Sequence, residues 1–351
     1  MAEEGKATNS ESDLTAPLKN PVAGAAPRLA AVVVTYNRLD QLKITVARLL
    51  DSSADVLDRL VVVDNASTDD TARWLSEQVD PRLRVLRCKT NEGGAGGFEA
   101  GLRLIRDEID PDWVVVMDDD ARPKPGTLEA FVAAERPDDL AAAAAAVYFP
   151  NGQICEMNRP SVNPFWRPAA FGRTLWRALR GKGRDGYHIP RKAYASEVPT
   201  EIDLTSFVGL FLSRRMLAEA GLPDRRLFLY GDDVIYTLGL RRVGFRIHFE
   251  PSLVFEHDCS TFANDQKRVF DPLWKVYYSY RNGLVMYRRA AGLLFWPLMV
   301  LAASKWFLIG RRYGADRSVY SKLYRRAVRD AVRQDFSLSH AEVRGLVNPE
   351  P

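Results

Sequence analysis

Three consecutive aspartates, Asp118, Asp119 and Asp120, follow the apolar run at residues 113–117 (WVVVM). That run is short, bounded and rich in valine, so it reads as a buried strand, and Pro123 and Pro125 forbid its continuation. Carboxylates crowded where a buried strand emerges repel one another, and burial penalises their ionised form. A hard divalent cation with oxygen ligands removes that cost. A second acidic pair, Asp232 and Asp233, opens a predicted helix over residues 232–243. One acid at such a place caps the helix and complements its dipole, while the other is a candidate general base whose neighbour raises its pKa. His257 follows a predicted strand at 253–256 and stands next to Asp258. Histidine with carboxylates suits Mn²⁺, and carboxylates with phosphate alone suit Mg²⁺. Each feature has a plain alternative: a solvated Asp-rich loop, a helix cap, a structural histidine. Only their combination carries chemistry.

The elements that must position these groups alternate. Residues 30–35 (AAVVVT), 60–63 and 83–88 read as strands. Leu39, Leu42, Val46, Leu49 and Leu50 recur at helical spacing, with Asn37 placed to cap that helix. The polar run 64–70 ends in capping residues for a helix through Trp74 and Leu75. Asn91 with Gly93, Gly94, Gly96 and Gly97 precedes a helix through Leu102 and Ile105, and offers close backbone approach and N–H groups to a phosphate. It lacks the lysine of a P-loop and the spacing of a dinucleotide fold. Strand and helix in alternation predict an α/β domain with a mostly parallel central sheet. Ligands of such sheets bind beyond the carboxyl ends of the strands. The clusters TYNR, DNAS, NEGGAGG and DDDA, each following a strand, should therefore meet on one rim around a nucleotide-sized ligand. Residues 207–212 are expected as a strand, 214–220 as a helix closed by Gly221, and 245–249 and 253–256 as two strands. The alanine run 141–146 is readable as either helix or strand. Residues 151–199 show little periodicity and read as an irregular insertion.

The chain has 351 residues, 46% of them hydrophobic, which is enough for a sizeable core and excludes wholesale disorder. The net charge is +4, and the excess of basic over acidic residues lies in the last third, which is rich in arginine. Cys88, Cys155 and Cys259 form no zinc pattern and no disulfide framework, which fits a reducing compartment. Residues 1–28 are polar, lack an apolar signal core and read as a disordered leader. Residues 292–309 (GLLFWPLMVLAASKWFLI) are strongly apolar but are interrupted by Pro297 and Lys305 and bracketed by Arg288, Arg289, Arg311 and Arg312. A helix lying in a membrane surface is favoured over a core helix or a span, and Trp296 and Trp306 suit interfacial anchoring. The basic region carries no nucleic-acid-binding motif, so nucleic acid is not expected as a partner. The oligomeric state is open.

Taken in order, AVVVTYNR, VVVDNAS, NEGGAGGF, VVVMDDDA, LFLYGDDVIYTLGLRRVGF and VFEHD resemble glycosyltransferase family 2, the inverting GT-A enzymes, over residues 29–287. Within that family the GGAGGF turn, the DDD motif, the lead-in PDRRLF, the late histidine and YYSYRNGLVMYRR are similar to bacterial UDP-galactofuranosyltransferases, and the last segment also to rhamnosyltransferases. The resemblance implies a Rossmann-like GT-A domain at 29–265, with helices on both faces of the sheet, and a helical, basic, membrane-associating region at 266–351. It implies that Thr35, Asn37, Arg38, Asp64, Asn91, Gly93, Gly94 and Asp119 hold a nucleotide-sugar donor, with Asp64 on the base. Asp118, Asp120 and His257 would bind Mn²⁺ or Mg²⁺, and Asp233 would be the base with Asp232 in support. Relatives with Trp at the place of Gly231, or Glu at that of Asp233, leave acceptor stacking and the choice of base open. The expected activity is transfer of galactofuranose from UDP-galactofuranose to a lipid-linked or polysaccharide acceptor in cell-envelope synthesis, at the cytoplasmic face of the membrane. The alternatives are rhamnosyl transfer from dTDP-rhamnose and a non-catalytic nucleotide-sugar-binding or scaffold protein.

Overall fold

The computed structural model describes residues 27–137, 139–259 and 269–347; the expected leader lies almost wholly outside them. The strands are β1 (Leu29–Thr35), β2 (Arg59–Asp64), β3 (Leu83–Arg87), β4 (Trp113–Asp118), β5 (Ala121–Pro123), β6 (Leu140–Tyr148), β7 (Thr200–Ile202), β8 (Leu210–Ser213) and β9 (Arg246–His257). They form one sheet in the order β3-β2-β1-β4-β8-β6-β9-β5, with β7 also paired to β9. β1, β2, β3 and β4 run parallel, as do β6 and β9, whereas β8 is antiparallel to both β4 and β6. The helices are α1 (Leu39–Leu50), α2 (Thr71–Ser76), α3 (Gly93–Leu104), α4 (Thr127–Ala133), α5 (Pro168–Ala178), α6 (Arg184–Tyr187), α7 (Arg214–Ala220), α8 (Asp232–Arg242), α9 (Lys275–Ala291), α10 (Phe295–Ile309), α11 (Arg317–Arg333) and α12 (His340–Gly345).

Every residue of β1 is buried, because helices cover both faces of the sheet. Val32 and Val34 point into one core with Phe98 and Leu102 of α3. Ala31 and Val33 point into the other with Leu42, Val46 and Leu49 of α1. α3 lies very close to β1: a Cβ on Gly97 would sit 2.5 Å from Val34 Cγ1, and one on Gly101 2.5 Å from Val32 Cγ1. Gly97, the last of the run, and Gly101 beyond it thus serve packing.

The alanine run 141–146 is strand, within β6. Helix propensity loses because β6 is packed on both faces, with Phe249 in one core and Phe211 and Phe255 in the other. The two strands expected at 245–256 are one, β9. The expected strand at 207–212 pairs only from Leu210, since Gly209 before it turns with φ +68°. Gly221 closes α7 as expected, at φ +79°. Asn37 does not cap α1: its own φ is +55°, and its Oδ1 accepts from Thr68 N at 2.7 Å, tying down the loop after β2. Asp70 makes no side-chain cap for α2, but Asp69 Oδ1 accepts from Thr71 N at 3.1 Å, at the start of that helix. The insertion expected to be irregular contains the eleven-residue helix α5.

α9 and α11 pack on each other through Tyr277, Tyr278 and Tyr320, and α10 folds back so that Trp306 stacks on Tyr280, centroids 4.4 Å apart. α10 is not a core helix. Phe295 is its one buried residue.

Candidate active site

A cleft of about 800 Å³ opens at the carboxyl ends of β1, β2 and β4. Thr35, Arg38, Asn91, Gly93, Gly94, Asp118, Asp119, Asp120, Asp232, Asp233 and His257 all line it. The sequence-predicted acids and the late histidine therefore meet on one rim.

Strand pairing explains how. β5 is antiparallel to β9 with Ala121 opposite His257, and Asp258 N donates to Asp120 O at 2.8 Å. This register sets the imidazole beside the aspartates, with His257 Nε2 3.2 Å from Asp120 Oδ1. The donor atoms of Asp118, Asp120 and His257 lie within 4.8 Å of one another. Arg38 donates to Asp119 Oδ1 at 2.9 Å and to Asp120 Oδ2 at 2.8 Å, and Thr35 Oγ1 donates to Asp119 Oδ2 at 2.7 Å. Thr45 Oγ1 holds the Asp119 carbonyl at 2.6 Å.

The electrostatics ask for positive charge. Burial, then repulsion from Asp120, pushes the Asp118 carboxyl up to about 7. Burial likewise raises Asp119 to about 6, with Arg38 and Thr35 opposing it. Asp120 goes the other way: burial acts to raise it, but His257 and Arg38 hold it below the usual range. Burial alone would lower His257, yet Asp120, Cys155 and Asp118 push it up to about 10. The aspartates thus hold a proton on the imidazole where a cation would serve. Asp120 Oδ1 is buried and accepts no hydrogen bond among the described residues. An unsatisfied carboxylate oxygen, two more acid donors and an imidazole fit a divalent cation.

Behind the histidine stands Asn158, which sequence reasoning missed. Its Oδ1 meets His257 Nδ1 at 2.8 Å and accepts from Cys155 Sγ at 2.9 Å, while its Nδ2 donates to Ser206 Oγ at 2.9 Å. An amide oxygen accepts only, so Nδ1 carries one proton, and the proton on Nε2, which faces the aspartates, is the one that a cation would displace. No sequence motif marks Asn158, since the contact is made by a loop distant in sequence from both metal-site strands.

On the next wall Asn65 ties two loops together. Its Nδ2 donates to Asn91 Oδ1 at 3.2 Å and to Gly93 O at 2.9 Å, and its Oδ1 accepts from Glu92 N at 3.0 Å. A Cβ on Gly94 would meet nothing within 4 Å, so this glycine faces open space, whereas one on Gly93 would strike Phe228 O at 2.0 Å.

Opposite the aspartates, Asp232 and Asp233 open α8. Its N-cap is Gly231 at φ +74°, with no side-chain cap, so neither acid caps conventionally; Asp233 Oδ1 accepts from the next residue, Val234 N, at 2.7 Å. Burial pushes the Asp233 carboxyl up to about 6, and burial with Asp233 and Asp118 pushes Asp232 well above its ordinary value. Phe228 and Tyr230 in the preceding turn take φ +65° and +69°, which costs energy for bulky side chains. α9 holds this turn. Asn282 Nδ2 faces the carbonyls of Leu227, Leu229 and Tyr230 at 2.8–2.9 Å, and Arg281 Nη2 donates to the carbonyls of Arg226 and Leu227 at 2.9 Å.

Two expected donor residues stand outside the cleft lining. Asn37 is taken up by Thr68, and Asp64 is fully buried behind the wall, with Oδ1 accepting from Ser67 N at 2.8 Å. The cleft also takes in Trp274 and, from the C-terminal region, His340, Arg344 and Val347, none of which forms a motif in sequence.

The profile of glycosyl transferase family 2 matches residues 30–191. The chain is 26% identical over 294 residues to galactofuranosyltransferase GlfT1 of Mycolicibacterium smegmatis, covering 81% of this chain and 91% of that protein. It is 30% identical over 181 residues to undecaprenyl-phosphate mannosyltransferase of Micrococcus luteus, covering 50% of this chain and 70% of that one. Among solved structures, GalNAc-T7 with UDP, GalNAc and Mn²⁺ superposes with a TM-score of 0.53 at 12% identity, over 75% of this chain and 48% of that structure's chain, a likeness of fold. The sheet and its helices on both faces are those of the GT-A architecture, and the chain belongs to glycosyl transferase family 2 as a glycosyltransferase.

Proposed function

We propose that this enzyme transfers galactofuranose, with inversion, from UDP-galactofuranose to a lipid-linked or polysaccharide acceptor of the cell envelope. The observation that carries the reading is the meeting of Asp118, Asp120 and His257 on one wall, with Asp232 and Asp233 facing the same cleft. Asp118, Asp120 and His257 hold Mn²⁺ or Mg²⁺, which when bound neutralises charge growing on the departing diphosphate. Arg38 and Thr35 fix Asp119 and Asp120 in place, and Asn158, by accepting from Nδ1, turns His257 Nε2 toward the site. Gly94 and the Asn65–Asn91 pair leave room and polar edges for the donor. Asp64 and Asn37 support the loops around the base and ribose.

Asp233, supported by Asp232, accepts the proton of the attacking acceptor hydroxyl. The new bond joins acceptor oxygen to the anomeric carbon as the bond from that carbon to the diphosphate oxygen breaks, and UDP leaves. The galactofuranose donor rests on the motif resemblance and on likeness to proteins named galactofuranosyltransferase. The exposed α10, flanked by arginines, supports a location on the cytoplasmic membrane face, where a lipid-linked acceptor would reside.

A donor screen read as nucleoside diphosphate release, with Mn²⁺, Mg²⁺ or chelator, tests the reading. UDP-galactofuranose should be turned over only with a divalent cation. Preference for dTDP-rhamnose would replace the donor, and no metal-dependent turnover of any sugar nucleotide would overturn the mechanism.

A further inference from the structure

Two separate apolar surfaces flank α9. One is α10, where Leu293 and Leu294 ahead of it and Leu301 and Phe307 within it are exposed, Leu293 at 93%. The other is α5 in the insertion, whose Phe171, Leu175 and Leu179 recur every four residues on one stripe, beside Trp176. All four are exposed, Leu179 at 80%.

The two are tied to one place. Asn163, just ahead of α5, donates through Nδ2 to Ala290 O at 3.0 Å, at the end of α9, and α10 starts four residues after α9 ends. Phe165 and Phe171 join that anchor to α5, centroids 5.9 Å apart. Their charge is one-sided as well. No acid occurs at residues 163–184 or 272–315, while Arg173, Arg180 and Lys182 accompany α5 and Lys305, Arg311 and Arg312 accompany α10. Arg180 lies over the Trp176 ring, 3.6 Å from its centroid, at the surface. Apolar residues at the tip, cations beside them, and tryptophans on both helices suit the headgroup boundary of an anionic bilayer.

We infer that α5 is a second membrane-contacting helix, and that α5 and α10 dock together onto an anionic lipid surface. This rests on the membrane reading of α10 given above. The insertion then has a purpose, because two contacts joined through α9 fix the enzyme's orientation on the bilayer, which one helix alone leaves free to roll.

The test is flotation of the full chain with vesicles of phosphatidylcholine, with or without phosphatidylglycerol. Wild type should float with the mixed vesicles, less so at high salt. Leu175→Ser with Leu179→Ser should weaken partition about tenfold, as should Leu301→Ser with Phe307→Ser. Arg180→Glu with Lys182→Glu should do the same without touching an apolar residue, which covers the case where the serine variant folds poorly. Donor turnover without lipid should stay at the wild-type level in all three. If the α5 variants float like wild type while the α10 variant does not, the α5 proposal is overturned and the α10 reading stands. If wild type fails to float, both fall. If wild type instead forms a lipid-independent dimer that the α5 variants break, the face is a self-interface and the inference is wrong.

Discussion

His257 Nε2 stands 3.2 Å from Asp120 Oδ1, brought there by the pairing of β5 with β9. Asp120 Oδ1 takes no hydrogen bond among the described residues, and the site holds more carboxylate than Arg38 and His257 balance. A divalent cation should therefore bind the folded chain without donor present and raise its Tm. Asp120→Ala should abolish the Tm rise and metal-dependent turnover together. His257→Ala should keep some turnover but need about tenfold or more Mn²⁺ for half-maximal rate. An Asp120→Ala enzyme still activated by Mn²⁺ would show that the cation sits elsewhere.

Asp233 sets a pH dependence. The groups bearing on it are Asp232 at its side, Asp118 acting on that neighbour, and the backbone N–H groups of Phe207 and Val234. As a base it must be ionised, so kcat/KM should fall as pH drops through about 6. Asp233→Asn should cut kcat roughly 10²–10⁴-fold and flatten that limb, with donor affinity nearly unchanged. Stability runs the other way. A carboxyl whose folded pKa is raised stabilises the fold only while protonated, and that contribution is lost as pH rises from about 4 through about 6. In chelator at neutral pH Asp233→Asn should thus be more stable, on the order of 2 kcal/mol, with the gain vanishing near pH 4 by denaturant melts.

The parallel half of the fold was legible because β1, β2 and β4 are continuous apolar runs, each ending in polar residues at one rim. Asp118, Asp119, Asp120 and His257 were legible for the same reason, since they stand at strand ends, and Asp232 and Asp233 as paired acids at a helix start. What was hidden depended on tertiary contact. The alanines of β6 have helix propensity, and only the aromatic rings packed on both faces make them a strand. Asn37 sits where a helix cap belongs but bonds across to Thr68, a partner set by the approach of two loops. Asn158 and Arg344 reach the site from segments without periodicity, so no spacing pointed to them. The glycine run promised phosphate contact, yet most of its glycines meet protein atoms.

That last point separates two substitutions. Gly97→Ala drives a methyl to 2.5 Å from Val34 Cγ1 inside the core, so the helix or the strand must shift. Overpacking of this kind costs about 1–3 kcal/mol, and the Tm should fall with little selective change in donor KM. Gly94→Ala meets nothing within 4 Å and should leave the Tm unchanged. If donor occupies that space, its KM should rise several-fold. An unchanged KM for Gly94→Ala would move the donor away from the start of α3.

Asn282 lies in α9, outside the cleft lining, yet it holds the turn that presents both acids of α8. One amide nitrogen faces three carbonyls, those of Leu227, Leu229 and Tyr230, and Arg281 Nε fixes the amide by donating to its oxygen at 2.9 Å. Asn282→Asp keeps the shape but removes the donor, turning attraction into repulsion against those carbonyls. The strained Phe228 and Tyr230 conformations then lose their support, and Asp232 and Asp233 shift. A displacement near 1 Å at a reacting group costs roughly 10²-fold in rate. The expected result is a large fall in kcat at nearly constant donor KM, with the metal-induced Tm rise retained because Asp118, Asp120 and His257 are untouched. Loss of stability alone, with kcat preserved at low temperature, would reduce Asn282 to a packing residue.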